Sequence, residues 1–475
     1  MLIRYIHKEY YYGFLMIKHT IMQLTPEQIN SLKTAFAEMD SKQEFLEVLN
    51  TAKSFLYGDK SNAFEMKQLN YYITKDKKTV NLKVDLLPQL NAGDKRFDTS
   101  NRKPAYSSFT ITKKSGATRT LHAPTRGLKE LQKALNLIFQ CVYEPHKAAT
   151  GFVIGKSIVD NAKQHINQNY VYNLDLKDFF PSIDQARVWG RLKVAPFNLG
   201  SSEERKKIAN MVASLCCTSM EVERNTNGEW LKVTLPVLPQ GAPTSPTLTN
   251  AICEKLDIRL SGVAKRFGLN YSRYADDITF SSKHNSFEIA KNVFENIYLK
   301  DSTFDKEVRK IIASQNFHIK ESKVRLQKQG YRQEVTGIVV NDKVNVNQKY
   351  IKQLRQWLFN WETYGYVEAY QKFLYKYTAD KGHIKKSQPN MMMVLDGKLL
   401  YLKMVKGETD PTYLKLRERF DKLIGSKSNI AEILDIWENE GIDEAMKFFY
   451  SAKQHPPVVL TKANTRLSID ELFYL

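Results

Sequence analysis

The chain has 475 residues and a mass of 55.0 kDa, enough to bury roughly three quarters of its unfolded surface in one large core or a few packed units. Hydrophobic residues make up 42% and charged residues 26%, which excludes global disorder, and no uncharged apolar run reaches the ~18 residues that a spanning helix needs. Lys and Arg number 71 against 51 Asp and Glu, a net charge of +20, so a polyanionic partner is expected, either a nucleic acid or an anionic membrane surface.

The 4 cysteines, Cys141, Cys216, Cys217 and Cys253, show no C-x-x-C spacing and no His partners at zinc-finger distances. Neither a disulfide framework nor a structural zinc is expected, and a reducing compartment is the default. The amino terminus mixes charge and tyrosine too evenly for a secretory signal, so a cytoplasmic protein with no membrane association is expected. Tyr10-Tyr11-Tyr12 reads as a short terminal element rather than a base-stacking platform.

Residues 24–57 read as two helices: Thr25-Pro26 supplies an N-cap and a first-turn proline, and Ser41 with Glu44 forms a capping box. Residues 58–105 read as a polar, Lys-rich region. Alternation over 109–124, on both sides of Ser115-Gly116, predicts a β-hairpin. A helix is expected from near Leu128. YVYNLDL at 170–176 reads as a buried strand, and 202–217 as a helix. The proline-rich 234–246 should be largely irregular, followed by a helix from Thr247 to Phe267. Residues 271–282 read as two short strands around an Asp-Asp turn. Residues 335–346 read as a hairpin with Asn341-Asp342-Lys343 in its turn. Beyond Tyr350 the pattern is mostly helical. Domains are expected at 1–104 (helical extension), 105–345 and 346–475 (basic and helical).

Three carboxylates stand out. Asp175 ends an apolar strand, and Asp276 and Asp277 share a turn between two strands. Carboxylates in such places are costly unless something cationic satisfies them. Two divalent ions ~3.5–4 Å apart would do so, as in nucleotide polymerases. Mg²⁺ suits the site because it takes oxygen ligands and shares its shell with phosphates; Mn²⁺ is a substitute. Taken alone, Y-x-D-D is also what an ordinary acidic hairpin turn looks like.

NLDLKDFFPSI at 173–183, LPQGAPTSPTLTN at 238–250 and YADD at 274–277 resemble, in this order, the palm motifs of reverse transcriptases. KKSGATRTLHAP at 113–124 and KESKVRL at 320–326 match as well, so the resemblance covers roughly 105–345. Within that family the chain is most similar to the bacterial retron type, through Asn161-Ala162-Lys163-Gln164-His165 (N-A-x-x-H) and Val335-Thr336-Gly337 (V-T-G). It departs from the retron pattern in its long amino-terminal extension, an extended loop between Trp189 and Leu238, and a continuation well past V-T-G. These departures leave open a sister class of defence-associated reverse transcriptases.

The resemblance implies an α+β right-hand polymerase with fingers, an antiparallel palm sheet and a helical thumb. It implies metal binding by Asp175, Asp276, Asp277 and the Leu176 carbonyl. Phe180 would be the steric gate that selects dNTPs, with Phe179 or both rings in the core as the alternative. Asp178 and Phe179 would offer backbone N–H groups to the triphosphate. Gln240 and Gly241 would line the nucleotide pocket. Lys114 and Arg119 would clamp its phosphates, Arg119 by its planar fork. Lys323, with Lys320 as a competitor, would protonate pyrophosphate. Asn161, His165, Val335, Thr336 and Gly337 are candidate RNA contacts, and His165 is equally a helix-capping residue. Lys349, Lys352, Arg355, Trp357 and Trp361 suit a thumb that tracks a duplex.

The expected activity is RNA-directed DNA synthesis from a dedicated noncoding RNA, in anti-phage defence, with RNA, an RNA–DNA hybrid and dNTPs as partners. An effector protein and self-association stay open. So do repetitive or untemplated cDNA synthesis, an RNA-binding scaffold and a maturase-like chaperone.

Overall fold

The structure, a computed structural model, describes residues 24–58, 61–81, 105–112, 118–226, 228–381 and 389–425. The chain divides into two compact units at Tyr331/Arg332, rather than at 345. The first unit runs α1 (Pro26–Glu38), α2 (Lys42–Tyr57), α3 (Met66–Asn81), β1 (Tyr106–Thr112), β2 (Thr118–Pro124), α4 (Arg126–Val142), α5 (Ile158–Lys163) and β3 (Tyr170–Asp175). It continues with α6 (Gln185–Leu192), α7 (Glu203–Cys216), β4 (Thr218–Thr226), β5 (Glu229–Val237), α8 (Ser245–Arg266), β6 (Asn270–Tyr274) and β7 (Asp277–Ser282). It ends with β8 (Ser286–Ala290), β9 (Val293–Asn296), α9 (Thr303–Ser314), a 3-10 turn at Glu321–Lys323 and β10 (Arg325–Lys328).

The amino-terminal helices start where their capping residues dictate. Gln28 N–H donates to Thr25 Oγ1 at 3.3 Å, and Thr25 N–H donates back to Gln28 Oε1 at 2.9 Å. Ser41 and Glu44 make the same reciprocal pair at 3.2 and 3.1 Å, satisfying donors the helix leaves orphaned. The buried Leu32, Phe36, Phe45 and Leu49 line the faces of α1 and α2 that pack on α4. Arg205 of α7 donates to the carbonyls of Ala37 and Met39 at 2.7 and 2.8 Å, closing the end of α1. The extension is therefore part of the first unit. α3 falls where the sequence reads as merely polar; it is held by packing on α7 and β4, a tertiary effect that local pattern does not carry.

At the centre lies a four-stranded antiparallel sheet of order β10-β3-β7-β6. α8 packs on β6 and on α9. Phe280 of β7 meets Phe304 of α9 edge-on at 5.1 Å, and Phe304 meets Phe267 at 5.4 Å, geometry that aromatic quadrupoles favour. Between Trp189 and Leu238 the helix expected over 202–217 is α7, and the rest of the expected long loop is largely the β4–β5 hairpin. Residues 234–237, expected to be irregular, form the end of β5, where Pro236 pairs with Ser219.

The second unit contains β11 (Glu334–Val335), β12 (Ile338–Val339), α10 (Gln348–Lys381, kinked at Gly365), α11 (Met391–Lys406) and α12 (Pro411–Ile424). A hairpin that the sequence did not announce reverses first at Thr336-Gly337, whose φ angles are +48° and +79°, ahead of the expected reversal at 341–343. Two adjacent positive φ values suit a tight two-residue hairpin turn. Residues 340–344 make a second reversal, which brings Val339 and Asn345 together through paired 2.9 Å bonds. No helix among the described residues is long and apolar enough to cross a membrane.

Candidate active site

β3 and β7 pair in a register that sets Asp175 directly opposite Asp277, while Tyr274 of β6 also faces Asp277. The β6–β7 turn is Ala275-Asp276, with Ala275 at φ +57°, a left-handed conformation uncommon for a residue bearing a Cβ. Backbone bonds lock the corner: Leu176 N–H donates to the Asp276 carbonyl at 3.0 Å, Lys320 N–H to that of Asp175 at 2.8 Å, and Lys177 N–H to that of His318 at 2.8 Å. Three separate stretches of chain thus meet at one end of the sheet.

The electrostatics follow from that convergence. The Asp277 carboxyl is pushed up to about 8, first by burial and then by the charges of Asp276 and Asp175, with Lys323 and Arg325 pulling the other way. Asp175 itself is 6% exposed and ion-paired with the Lys323 ammonium, whereas Lys320 engages the same residue through its backbone. Among the described residues no three acidic, His or Cys side chains are gathered closely enough to hold a metal ion as they stand. The aspartates are hard oxygen donors whose mutual repulsion a divalent cation would relieve, so they fit such an ion as an open site, with the buried Leu176 beside them.

Both adjacent phenylalanines are buried and meet at 5.6 Å. Phe179 belongs to the core and lies tilted against Phe317 at 5.6 Å. Phe180 turns to Phe152 at 5.9 Å, which lies 6.5 Å from Tyr274 of the acidic turn. Asp178 has φ +45° and its carbonyl accepts from Ser182 N–H at 2.8 Å, a tight bend just after the aspartate corner. The Gln240 carbonyl accepts from His122 N–H at 3.1 Å. Gly241, at φ +132°, passes so close to β2 that a Cβ would lie 2.5 Å from the His122 oxygen; only glycine permits that approach. Lys114 lies outside the described residues. Arg119 is placed only by its backbone, opposite Ile111 in the β1–β2 hairpin.

Asn161 and His165 are overturned as RNA contacts. Asn161 and His165 are 0% exposed. His165 Nδ1 meets Ser281 Oγ and its Nε2 meets Ser272 Oγ, both at 2.7 Å, so it neither reaches RNA nor caps a helix. Asn161 Oδ1 accepts from Thr150 and Ser272 at 2.7 Å each. Burial holds the His165 ring neutral, its pKa pushed down to about 3. Val335 is 0% and Thr336 8% exposed, so neither side chain offers a docking face, whereas Gly337 is exposed in the turn. N-A-x-x-H is thus a structural device here. Arg273, just before Tyr274, carries no expectation from sequence. It is wholly buried with Asp257, and its only sequence signal is a charge inside a buried strand.

A family model described as reverse transcriptase (RNA-dependent DNA polymerase) matches residues 111–345. The retron Ec86 reverse transcriptase of Escherichia coli is 32% identical over 255 residues, covering 53% of this chain and 68% of that relative. This chain belongs to the retron reverse transcriptases. The retron Mx65 enzyme of Myxococcus xanthus is 34% identical over 312 residues, covering 64% of this chain and 62% of the relative. The retron Mx162 reverse transcriptase of the same organism is 39% identical over 243 residues, covering 50% and 47%. The chain therefore spans about half to three fifths of the length of those two relatives. As in reverse transcriptases generally, the fold class is the right-hand polymerase. The four-stranded sheet of this retron reverse transcriptase is the palm, and β1–β2 is its fingers hairpin.

Proposed function

We propose that this chain is an RNA-directed DNA polymerase of retron type that copies a dedicated noncoding RNA into cDNA, in the service of anti-phage defence. The observation that carries the reading is the cross-strand pairing of Asp175 with Asp277 beside Asp276. A binding scaffold has no use for buried, mutually repelling carboxylates. The net charge of +20 suits RNA and an RNA–DNA hybrid as partners.

The reaction is attack of a primer hydroxyl on the α-phosphorus of a dNTP, with pyrophosphate leaving. Asp175, Asp276 and Asp277 would hold divalent cations, Mg²⁺ by preference, which supply charge neutralisation at the reacting phosphates. The chain's own groups do the positioning. Phe180, backed by Phe152, forms a flat wall where a ribose 2′-hydroxyl would have to fit. Gly241 lets the 238–244 backbone press against β2 and so ties the fingers hairpin to the palm. Lys323 Nζ pairs with Asp175 at the rim of the carboxylates, where it can meet the departing pyrophosphate. Such catalysis is mostly orientation and electrostatics.

The test is dNTP incorporation by the full chain on an RNA template with Mg²⁺, followed by sequencing of nucleic acid co-purified from the native host. Wild type extends and Asp276→Asn does not; equal activity in both rejects the carboxylate assignment. A short structured RNA joined to cDNA supports the retron role, whereas long repetitive cDNA assigns the chain to the defence-associated sister class.

A further inference from the structure

Strand β6 is gripped on both faces just before the acidic turn. On one face Ser272 is held by Asn161 and His165. On the other, Arg273 lays its fork on Asp257 of α8, Nε to Oδ1 at 2.8 Å and Nη2 to Oδ2 at 2.7 Å. Tyr271 Oη donates to the same Oδ1 at 2.7 Å. Both partners of the ion pair are 0% exposed, a costly placement unless every donor is used.

The remaining donors of Arg273 show where it is directed. Nη2 also donates to Asn250 Oδ1 at 3.1 Å, and Nη1 donates to the carbonyl of Ala275 at 3.1 Å. Asn250 Nδ2 in turn donates to the Gly151 carbonyl at 2.9 Å. Gly151 lies against the turn so closely that a Cβ there would stand 2.5 Å from the Ala275 nitrogen. Ala275 is the residue at φ +57°, in a region a non-glycine residue holds only when its surroundings impose it.

We propose that Arg273 is a positioning residue for DNA synthesis: locked by Asp257, its guanidinium holds the Ala275 carbonyl and so keeps the left-handed turn that aims Asp276 and Asp277 at Asp175. Lysine cannot replace it, because a single ammonium cannot span a carboxylate, an amide oxygen and a backbone carbonyl in one plane. A purely structural ion pair would need no bond to the turn. This role rests on the polymerase reading.

The experiment compares wild type, Arg273→Lys, Ala275→Gly and the double variant as full chains, by thermal melting, dNTP incorporation and Mg²⁺ titration. Arg273→Lys should fold, with KM for dNTP little changed, a raised Mg²⁺ requirement and kcat lowered about a hundredfold, the usual cost of an ångström-scale misplacement. Ala275→Gly, which makes the left-handed turn intrinsically accessible, should restore much of the kcat of Arg273→Lys. A folded Arg273→Lys with wild-type kcat and Mg²⁺ requirement overturns the proposal. So does a loss that merely tracks the unfolded fraction, recovers on cooling and ignores Ala275→Gly. Should Arg273→Lys not fold, Asp257→Asn takes its place and must give the same kcat loss and the same rescue by Ala275→Gly. A wild-type chain that incorporates no dNTP rejects the polymerase reading itself.

Discussion

Asp175 and Asp277 are direct cross-strand partners on β3 and β7, brought together from separate motifs by four antiparallel strands. Burial first, and then the charges of Asp276 and Asp175, push the Asp277 carboxyl up to about 8. Neutralising Asp277 should therefore affect folding and activity in opposite directions. Asp277→Asn is expected to melt no lower than wild type in metal-free buffer. Its DNA synthesis should drop at least about a thousandfold, because several kcal/mol of charge stabilisation at the phosphates is lost. Differential scanning fluorimetry beside primer extension reads both, and a variant that melts lower while still extending contradicts the assignment.

Phe179 and Phe180 should respond differently to truncation. Phe179→Ala removes a core ring packed against Phe317 and should cost about 3–5 kcal/mol of stability without changing sugar selection. Phe180→Ala should fold and lose discrimination against ribonucleotides by at least about tenfold. Competition between dNTP and rNTP separates the two; unchanged discrimination in Phe180→Ala would remove it as the gate.

His165 makes folding pH-dependent. In the folded chain burial holds its pKa at about 3, whereas in the unfolded chain it titrates near the ordinary value of about 6.5. Between these values the unfolded state binds the extra proton. The stability contributed by neutral His165 is thus intact above about pH 6.5 and is lost as the pH falls toward 3, at up to about 1.4 kcal/mol per pH unit. Urea melts from pH 7.5 to 4.5 should show a steeper decline for wild type than for His165→Gln. Parallel curves would mean that the ring is not held neutral.

Gly241→Ala should be harmful although it adds one methyl group. The position has φ +132° and the new Cβ would meet the His122 oxygen at 2.5 Å, so the loop or β2 must shift. A destabilisation of about 1–3 kcal/mol is expected, with a raised KM for dNTP. A variant with wild-type melting and kinetics would show that the loop is not pinned to the fingers hairpin.

Much of the site could be read from the sequence because it is written in local chemistry. An apolar strand ending in Asp175, a Y-A-D-D turn and a proline-rich Q-G loop each need their own residue types in consecutive order. The capping residues Thr25 and Ser41 likewise announce their helices within one turn of chain. The same local reading found the reversal at Asn341-Asp342-Lys343 but missed the hairpin just before it, because Thr336-Gly337 takes two positive φ values that a threonine does not announce. It also missed α3, whose helicity is held by packing on α7 and β4.

Which acidic residues a reverse transcriptase would bring to its metal corner was thus decided by sequence alone, since strand alternation and the motif order leave little choice. Which polar residues are machinery and which are scaffold was decided only by the tertiary structure. Asn161 and His165 look like recognition groups and are buried braces, and Arg273, on which the sequence raised no expectation, is wholly enclosed with Asp257. A polar side chain carries no local mark of its burial. Its role depends on partners far along the chain, and only folding brings those partners within hydrogen-bonding reach.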